Sequence, residues 1–272
     1  MKRIYIFFSF VLLSAGSLNT AISNERRFSY TYETSVLPRG AREIELWNTD
    51  RRGRPYFYRR LDQRIEYETG VANNLMSAFY LNYSWQINDS NGELPGGSKA
   101  STYSVSISNE WKYKLMDRVA DPIGLALYAE GSTGPDESDI EAKLLFDKEV
   151  DGFLFALNFA GEQEWAYDVD NGDNIFNTEL KSEINLGIAY LVSHSFSFGI
   201  EARQQNVAID KIIKHSSLFA GPVLSYSANG WWATLTVMPQ IKSFRGATTQ
   251  NKQLDLDEYE KIQTRLLFSF HL

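Results

Sequence analysis

The sequence predicts an all-β fold, a transmembrane antiparallel up-and-down β-barrel of about 12 strands with short periplasmic turns and longer extracellular loops. Three observations predict it. Apolar and polar residues alternate along many segments, short and long connections follow one another, and aromatic residues gather near segment ends. Alternation with a period of two gives a strand one apolar and one polar face. A barrel in lipid has this layout, with its apolar face outward.

Residues 1–23 have the organisation of a secretory signal peptide. Lys2 and Arg3 precede an apolar run from Ile4 to Leu13, and small residues lead to a predicted cleavage site after Ser23. The apolar run is shorter than the roughly 20 residues that a membrane-spanning helix needs. We therefore expect an exported protein that crosses a membrane with strands; a retained anchor is the alternative.

The composition excludes several classes of partner and site. The chain has no cysteine, and its 27 Lys+Arg against 34 Asp+Glu give a formal net charge of −7. The lack of cysteine excludes disulfides, a lipoprotein anchor and thiolate metal sites. The acidic balance argues against nucleic acid as a partner. No cofactor is predicted, and the isolated His194 and His271 are assigned no metal.

Twelve alternating segments are the predicted strands of the barrel, which spans residues 41–272. They are Arg42–Asp50, Leu61–Thr69, Leu75–Gln86, Ser101–Tyr113, Ile123–Gly131, Ser138–Asp147, Gly152–Gly161, Thr178–Leu191, Ser195–Asn206, His215–Tyr226, Trp231–Gln240 and Glu258–Leu272. Residues 24–40, with alternating Phe28, Tyr30 and Tyr32, are predicted to be an N-terminal periplasmic or plugging segment.

Connections of two lengths alternate between these strands. The short ones centre on Gly70–Asn74, Lys114–Pro122, Lys148–Asp151, Val192–His194 and Ser227–Gly230. The longer, polar ones include Ile87–Ala100, Glu162–Asn177 and Ile241–Asp257. With an even number of strands, this segregation places both chain ends on the short-turn, periplasmic side.

Tryptophan and tyrosine concentrate at the two interfaces of a membrane, because their rings are apolar but carry a polar atom. The tryptophans predicted at strand ends are Trp85, Trp111, Trp165, Trp231 and Trp232. Trp47 fits this pattern less well, because alternation places it on the same face as Glu43 and Glu45.

The last strand ends the chain without a polar tail. Leu266, Phe268 and Phe270 are predicted to face lipid, and Arg265 and Ser269 to face the lumen. The strand resembles the terminal strand of bacterial outer-membrane barrels, although Leu272 replaces the phenylalanine usual there. The resemblance implies recognition by the barrel-assembly machinery through this strand.

Fourteen charged side chains are predicted to line the lumen. They are Arg64, Glu66, Glu68, Glu110, Lys112, Glu141, Lys143, Glu179, Lys181, Glu183, Glu201, Arg203, Lys261 and Arg265. Two interpretations remain open. The charges line a narrow passive channel for small polar or cationic solutes, or they pair across the lumen and close a structural or surface-interaction barrel.

Two weaker motifs suggest other chemistry. His215 and Ser217, with Asn206 on the preceding strand, resemble the active site of outer-membrane phospholipases, which makes a lipid hydrolase the third alternative. That family's site faces lipid, however, and these residues are in phase with the inward set. The run Asp168–Asp173 is similar to a calcium loop, but its glycine is misplaced for an EF-hand, and a solvated turn is the preferred interpretation.

The whole mature chain resembles poorly characterised bacterial outer-membrane barrels of the porin type. The resemblance rests on the signal peptide, the strand layout, the segment Leu37–Glu45 and the terminal strand. It implies a non-enzymatic protein of the outer membrane in contact with lipid, and it assigns no functional residue.

Overall fold

The computed structural model describes residues 25–89, 99–170, 173–247 and 253–272, except the side chains of 168–176. Twelve antiparallel strands form one closed barrel, in which each strand pairs with its neighbours in sequence and β1 pairs with β12. The strands are β1 (Arg42–Arg52), β2 (Tyr58–Ala72), β3 (Leu75–Asp89), β4 (Lys99–Met116), β5 (Gly124–Thr133), β6 (Glu137–Val150), β7 (Phe153–Asp170), β8 (Asp173–Leu191), β9 (Phe196–Ile209), β10 (Ile212–Ala228), β11 (Trp231–Arg245) and β12 (Ile262–His271). The predicted signal peptide lies outside the described residues.

The predicted fold class and number of strands are confirmed. The largest error is Glu162–Asn177, predicted as a long loop, because β7 continues to Asp170 and β8 begins at Asp173. The run Asp168–Asp173, rich in Asp and Asn with one Gly, made this region look like a loop, although Trp165, Tyr167 and Val169 alternate with polar residues. In the barrel, cross-strand pairing of the charges stabilises the extended strands, as between Lys181 Nζ and Glu162 Oε1 at 3.2 Å.

The two rims of the barrel differ in their connections. The turn end carries the connections 73–74, 117–123, 151–152, 192–195 and 229–230, and the loop end carries the other six. At the turn end, Asp117 accepts hydrogen bonds from the N–H groups of Val119 and Ala120, which lower the pKa of Asp117 to about 2. At the loop end 53–57, 134–136 and 210–211 are also short, whereas 246–261 is long, and its described residues Asp255, Leu256 and Tyr259 are buried.

Side chains alternate between the lumen and the outside as predicted. On β3, Phe79 and Leu81 are 58% and 49% exposed on the outer surface, whereas Met76 and Tyr80 are buried inside. The described part of the chain leaves outward apolar side chains of many strands exposed, among them Ile107, Phe159 and Ile200. The described residues form no helix long and apolar enough to cross a membrane.

The tryptophans divide between the two faces. Trp231 is stacked on Phe268 on the outer surface, with ring centroids 5.6 Å apart, as the interface prediction requires. Trp232 contradicts that prediction, because it is fully buried inside and donates a hydrogen bond to Glu43. Adjacent strand residues point to opposite faces, so the pair cannot share the outer surface. Trp47 also lies inside, as expected from its position two residues after Glu45 on the same face of β1.

Candidate functional site in the barrel lumen

An extended segment preceding β1 lies inside the barrel. This segment, residues 25–37, is called the plug below. It starts at the turn end, where Arg27 Nη2 donates to the carbonyl of His194 at 3.0 Å. Phe28, Tyr30 and Tyr32 follow and are all buried among wall side chains. An extended chain without a partner strand must satisfy its backbone polar groups in another way.

Glu201 of β9 supplies most of the acceptors for the plug backbone. Its carboxylate accepts hydrogen bonds from the N–H groups of Ser29 (3.1 Å), Tyr30 (2.8 Å) and Thr31 (2.8 Å). Thr236 Oγ1 donates to the same carboxylate at 2.6 Å and accepts from Ser29 Oγ at 2.7 Å. Glu201 is completely buried, so these donors replace the water that its charge would otherwise need.

Two further wall residues bind the C-terminal half of the plug. Asn158 of β7 accepts from the Tyr32 N–H at 2.6 Å and donates to the Tyr32 carbonyl at 2.8 Å, as a neighbouring strand would. Asp147 of β6 accepts from the N–H and the hydroxyl of Thr34 at 2.9 and 2.6 Å. The plug is thereby anchored to three separate strands of the wall.

Two glycines of the wall leave room for the plug. A Cβ atom on Gly187 would lie 2.7 Å from the ring of Phe28, and one on Gly70 would lie 2.6 Å from the carbonyl oxygen of Leu37. Such contacts are too close for any side chain other than hydrogen. The wall is therefore shaped for this segment.

A polar cavity of about 390 Å³ lies between the plug and the loop end. Its charged lining residues are Arg51, Arg54, Arg60, Arg64, Lys143, Lys181, Arg203 and Arg265 on the cationic side, and Glu130, Glu141, Glu162, Glu183, Glu258 and Glu260 on the anionic side. Glu258 belongs to the connection at the mouth, where burial raises the pKa of its carboxyl group. The lining therefore carries more cations than carboxylates.

Arg265 of β12 and Arg54 are cations of the cavity that form no ion pair with a carboxylate among the described residues; Arg54 binds the backbone carbonyls of Asp257 and Glu258. Arg265 Nε donates to Thr49 Oγ1 at 2.8 Å, and its Nη1 donates to the Ser29 carbonyl at 3.3 Å. The guanidinium lies 3.9 Å from the ring centroid of Tyr30. Arg265 is thus held by neutral groups, and its positive charge is available to a solute.

The opposite half of the lumen is acidic. Glu43 and Glu45 of β1, Glu66 and Glu68 of β2 and Glu110 of β4 are buried near the turn end. Trp47 Nε1 donates to Glu45 at 2.7 Å, and Trp232 and Ser269 donate to Glu43. The charge of the lumen is therefore distributed unevenly along the barrel axis: it is acidic beside the plug, and toward the loop end it is mixed, with a small excess of cations in the cavity lining.

The structure brings most of the predicted lumen residues together in two groups. Those that line the cavity are Arg64, Glu141, Lys143, Lys181, Glu183, Arg203 and Arg265. Those buried around the plug and the acidic half are Glu66, Glu68, Glu110, Lys112 and Glu201. Glu179 is half-buried near the loop end, and Lys261 is exposed just before β12 begins. Lys261 is therefore the member of the set that the structure places outside the lumen.

The sequence prediction omitted residues that the structure places in the lumen. Glu43 and Glu45 are in phase with Trp47 on β1, and this alternation could have revealed all three. Glu130 is also inward, 3.4 Å from Arg64. Alternation also places Asp147 on the face of Glu141 and Lys143, but no local pattern shows that Asp147 and Asn158 bind the plug.

The geometry around His215 differs from the predicted catalytic arrangement. His215 Nδ1 is 2.7 Å from Asp255 Oδ2, whereas Asn206 accepts a hydrogen bond from Ser216 at 2.7 Å. Asn206 therefore does not orient the histidine. Of the calcium-like run, Asp168–Asp170 ends β7 and Asp173 begins β8, and the side chains lie outside the described residues.

A closed barrel of antiparallel strands with a polar lumen and an apolar outer surface is the architecture of membrane β-barrels. The chain belongs to DUF6662, a family of unknown function, whose match spans residues 20–272. No curated protein sequence matches the chain.

Solved structures of low sequence identity share the fold. The COG4313 outer membrane channel from Pseudomonas putida F1 is similar with a TM-score of 0.59 and 10% identity, over 88% of this chain and 98% of that one. The translocator domain of the autotransporter NalP from Neisseria meningitidis gives 0.55 and 11%, over 88% and 91%. The beta domain of the Bordetella autotransporter BrkA gives 0.52 and 10%, over 86% and 100%. At these identities the likeness shows the fold alone.

Proposed function

We propose that this protein is a narrow passive channel of the bacterial outer membrane whose lumen is occluded by its own plug. The observation that carries the proposal is how the plug is held. Its backbone is bonded to wall side chains, and among the described residues no backbone–backbone hydrogen bond joins residues 25–37 to a strand. The plug can therefore leave the lumen while every strand pair of the barrel stays intact.

The apolar outer surface and the C-terminal strand support the proposed location. Side chains such as Phe79, Ile107 and Ile200 are about half exposed or more on the outer face, as lipid contact requires. We propose that the chain is exported with a cleaved signal peptide and inserted by the barrel-assembly machinery through β12. Outer-membrane lipid is then its main partner, and no catalytic step is proposed.

The cavity supports solutes different from those expected from the sequence. An excess of glutamate suggested cationic solutes, but the acidic side chains cluster in the plugged half, and the lining of the open half carries a small excess of cations. We propose small polar solutes, with preference for those carrying a negative charge. Rings and clusters of charge in a narrow pore set its selectivity in this way.

A disulfide between plug and wall tests the gating role. Ser29 Oγ and Thr236 Oγ1 are 2.7 Å apart, so Ser29→Cys with Thr236→Cys places two thiols within bonding reach, in a chain that has no other cysteine. In planar bilayers, oxidised protein should show almost no conductance, and reduction should restore the conductance of the unmodified chain. Ser29→Cys alone is the control. Equal conductance before and after reduction of a fully formed disulfide would contradict the proposal.

The charge preference is tested at Arg265. Replacing Arg265 by glutamine removes a buried cation of the cavity that has no carboxylate partner among the described residues, and we expect the ratio of anion to cation permeability to fall about twofold or more. The reversal potential under a salt gradient measures this ratio. Lys261→Gln is the matched control, because Lys261 is exposed outside the lumen. A reversal potential that moves equally in both variants would exclude Arg265 as a selectivity residue.

The competing function is a closed structural barrel, and the extensive burial of the plug favours it. That alternative predicts no conductance from the unmodified chain, from the reduced double-cysteine variant or from variants with a loosened plug, under conditions in which a known porin conducts. Conductance that responds to the disulfide excludes it.

A further inference from the structure

Three carboxylates converge in the acidic half of the lumen. Glu45 of β1 is the cross-strand partner of Glu66 of β2, and Glu68 follows two residues later on the same inward face. All three are at most 4% exposed. One oxygen from each lies within 4.8 Å of the oxygens of the other two. Two oxygens bound to one Ca²⁺ at about 2.4 Å are at most about 4.8 Å apart, so this spacing suits a single ion.

Glu110 of β4 provides an independent observation. It is 1% exposed, and its Oε2 has no hydrogen-bond partner among the described residues. In the strand register Glu68 is opposite Ala78, and Ala78 is opposite Glu110. Because Ala78 has only a methyl group, the Glu110 side chain can reach across it toward Glu68. The charge of Glu110 acts on both Glu66 and Glu68.

The oxygens available to a ligand are on all four glutamates. Glu45 Oε1, Glu66 Oε2 and Glu68 Oε2 also have no hydrogen-bond partner among the described residues. A buried carboxylate oxygen without a partner is costly, because neither water nor a donor compensates its charge. Several such oxygens that face one another are suitable ligands for a cation.

The neighbouring cations do not balance the negative charge of these carboxylates. Arg26 of the plug is 3.9 Å from Glu45, and Lys112 interacts with Glu45 and Glu68. The next cations are already paired, Lys143 with Glu141 at 2.7 Å and Arg64 with Glu130 at 3.4 Å. The cluster therefore contains more carboxylates than cations, and a divalent ion bound there would reduce this imbalance.

We propose that Glu45, Glu66 and Glu68 bind one divalent cation, with Glu110 as the fourth carboxylate. The donor set contains only oxygen, which favours Ca²⁺ over transition metals. The ion would join β1, β2 and β4 beside the plug residue Arg26. The inference depends on the fold alone and stands whether or not the barrel conducts.

Calorimetry with Ca²⁺ alone tests the site. Full-length mature protein is refolded from inclusion bodies into detergent, which avoids cations carried by lipopolysaccharide, and is treated with a chelator before titration with CaCl₂. One saturable site per chain is expected. Glu66→Gln and Glu68→Gln should each weaken binding by about tenfold or more, because affinity follows the number of charged ligands. The matched control Glu141→Gln removes a lumen carboxylate outside the cluster and should bind normally.

A second variant should strengthen binding. Arg26→Met removes the positive charge 3.9 Å from Glu45 and should raise the affinity for Ca²⁺ about three- to tenfold. Heat-modifiable migration in detergent gels confirms that each variant is folded. Absence of a saturable site in the folded unmodified chain would overturn the proposal, and so would equal affinity of that chain and the two glutamine variants.

Discussion

Replacing Glu201 by alanine is expected to release the plug and to raise the single-channel conductance to that of an open lumen. The carboxylate of Glu201 accepts the N–H groups of three consecutive plug residues. Each hydrogen bond to a charged acceptor contributes about 1.5–3 kcal/mol. Because such contributions do not add fully, we expect plug docking to weaken by roughly 4 kcal/mol, which is about a thousandfold in population.

Two measurements report plug release. Trypsin should cleave folded Glu201→Ala after Arg26 or Arg27, which are buried or partly buried in the unmodified chain, and planar bilayers should record the conductance. Glu162→Ala is the matched control, because Glu162 lines the cavity and pairs with Lys181 rather than with the plug. Protection from trypsin and unchanged conductance in Glu201→Ala would show that this carboxylate does not hold the plug.

Gly187→Val tests the same release by steric means. Even the first carbon of a side chain would lie 2.7 Å from the ring of Phe28, so valine should displace the plug without removing any of its hydrogen-bond acceptors. If Gly187→Val and Glu201→Ala raise conductance and trypsin cleavage alike, the cause is release of the plug and not the loss of a negative charge from the lumen.

Deleting Phe270–Leu272 is expected to abolish assembly into the outer membrane. Phe270 pairs with Ile44 of β1 on one side and with Trp231 of β11 on the other, so it belongs to the seam that closes the barrel. The deletion also removes His271, which pairs with Glu43. Without this rim, unpaired backbone groups of β1 and β11 would face lipid, where each costs several kcal/mol.

Cell fractionation and heat-modifiable migration measure the result. Leu272→Ala is the control, because Leu272 follows β12 and keeps its backbone hydrogen bond to the Arg42 carbonyl in this variant. Outer-membrane insertion of the truncated chain at the normal level would show that closure does not require the last three residues.

The alternation of side chains revealed much of the wall of the site. Charged residues such as Glu68, Lys143 and Arg203 fall on the polar phase of their strands, and each lies in the lumen. The prediction failed at Glu162–Asn177, because the acidic, glycine-containing run Asp168–Asp173 resembles a long loop, whereas the structure forms a two-residue connection there. The interface prediction also failed at Trp232, because a position near a strand end does not determine whether the side chain points to the lumen or to the outer surface.

The contacts of the plug could not be predicted from the alternation of side chains. Ser29 and Glu201 are 172 residues apart in sequence, and Thr34 and Asp147 are 113 apart. Closure of twelve strands brings them together, and no local pattern encodes that geometry. The same limit applies to His215, whose partner Asp255 comes from the connection 246–261 rather than from the neighbouring strand.

The sequence by itself determined the architecture of this protein, because the two-residue period of a strand is a local property of the backbone and sorts each side chain inward or outward. Only the tertiary structure decided what the lumen contains. Register and closure, which act between distant strands, place Glu45, Glu66, Glu68 and Glu110 together, leave Arg265 in a cavity with a small excess of cations, and hold residues 25–37 between these two regions.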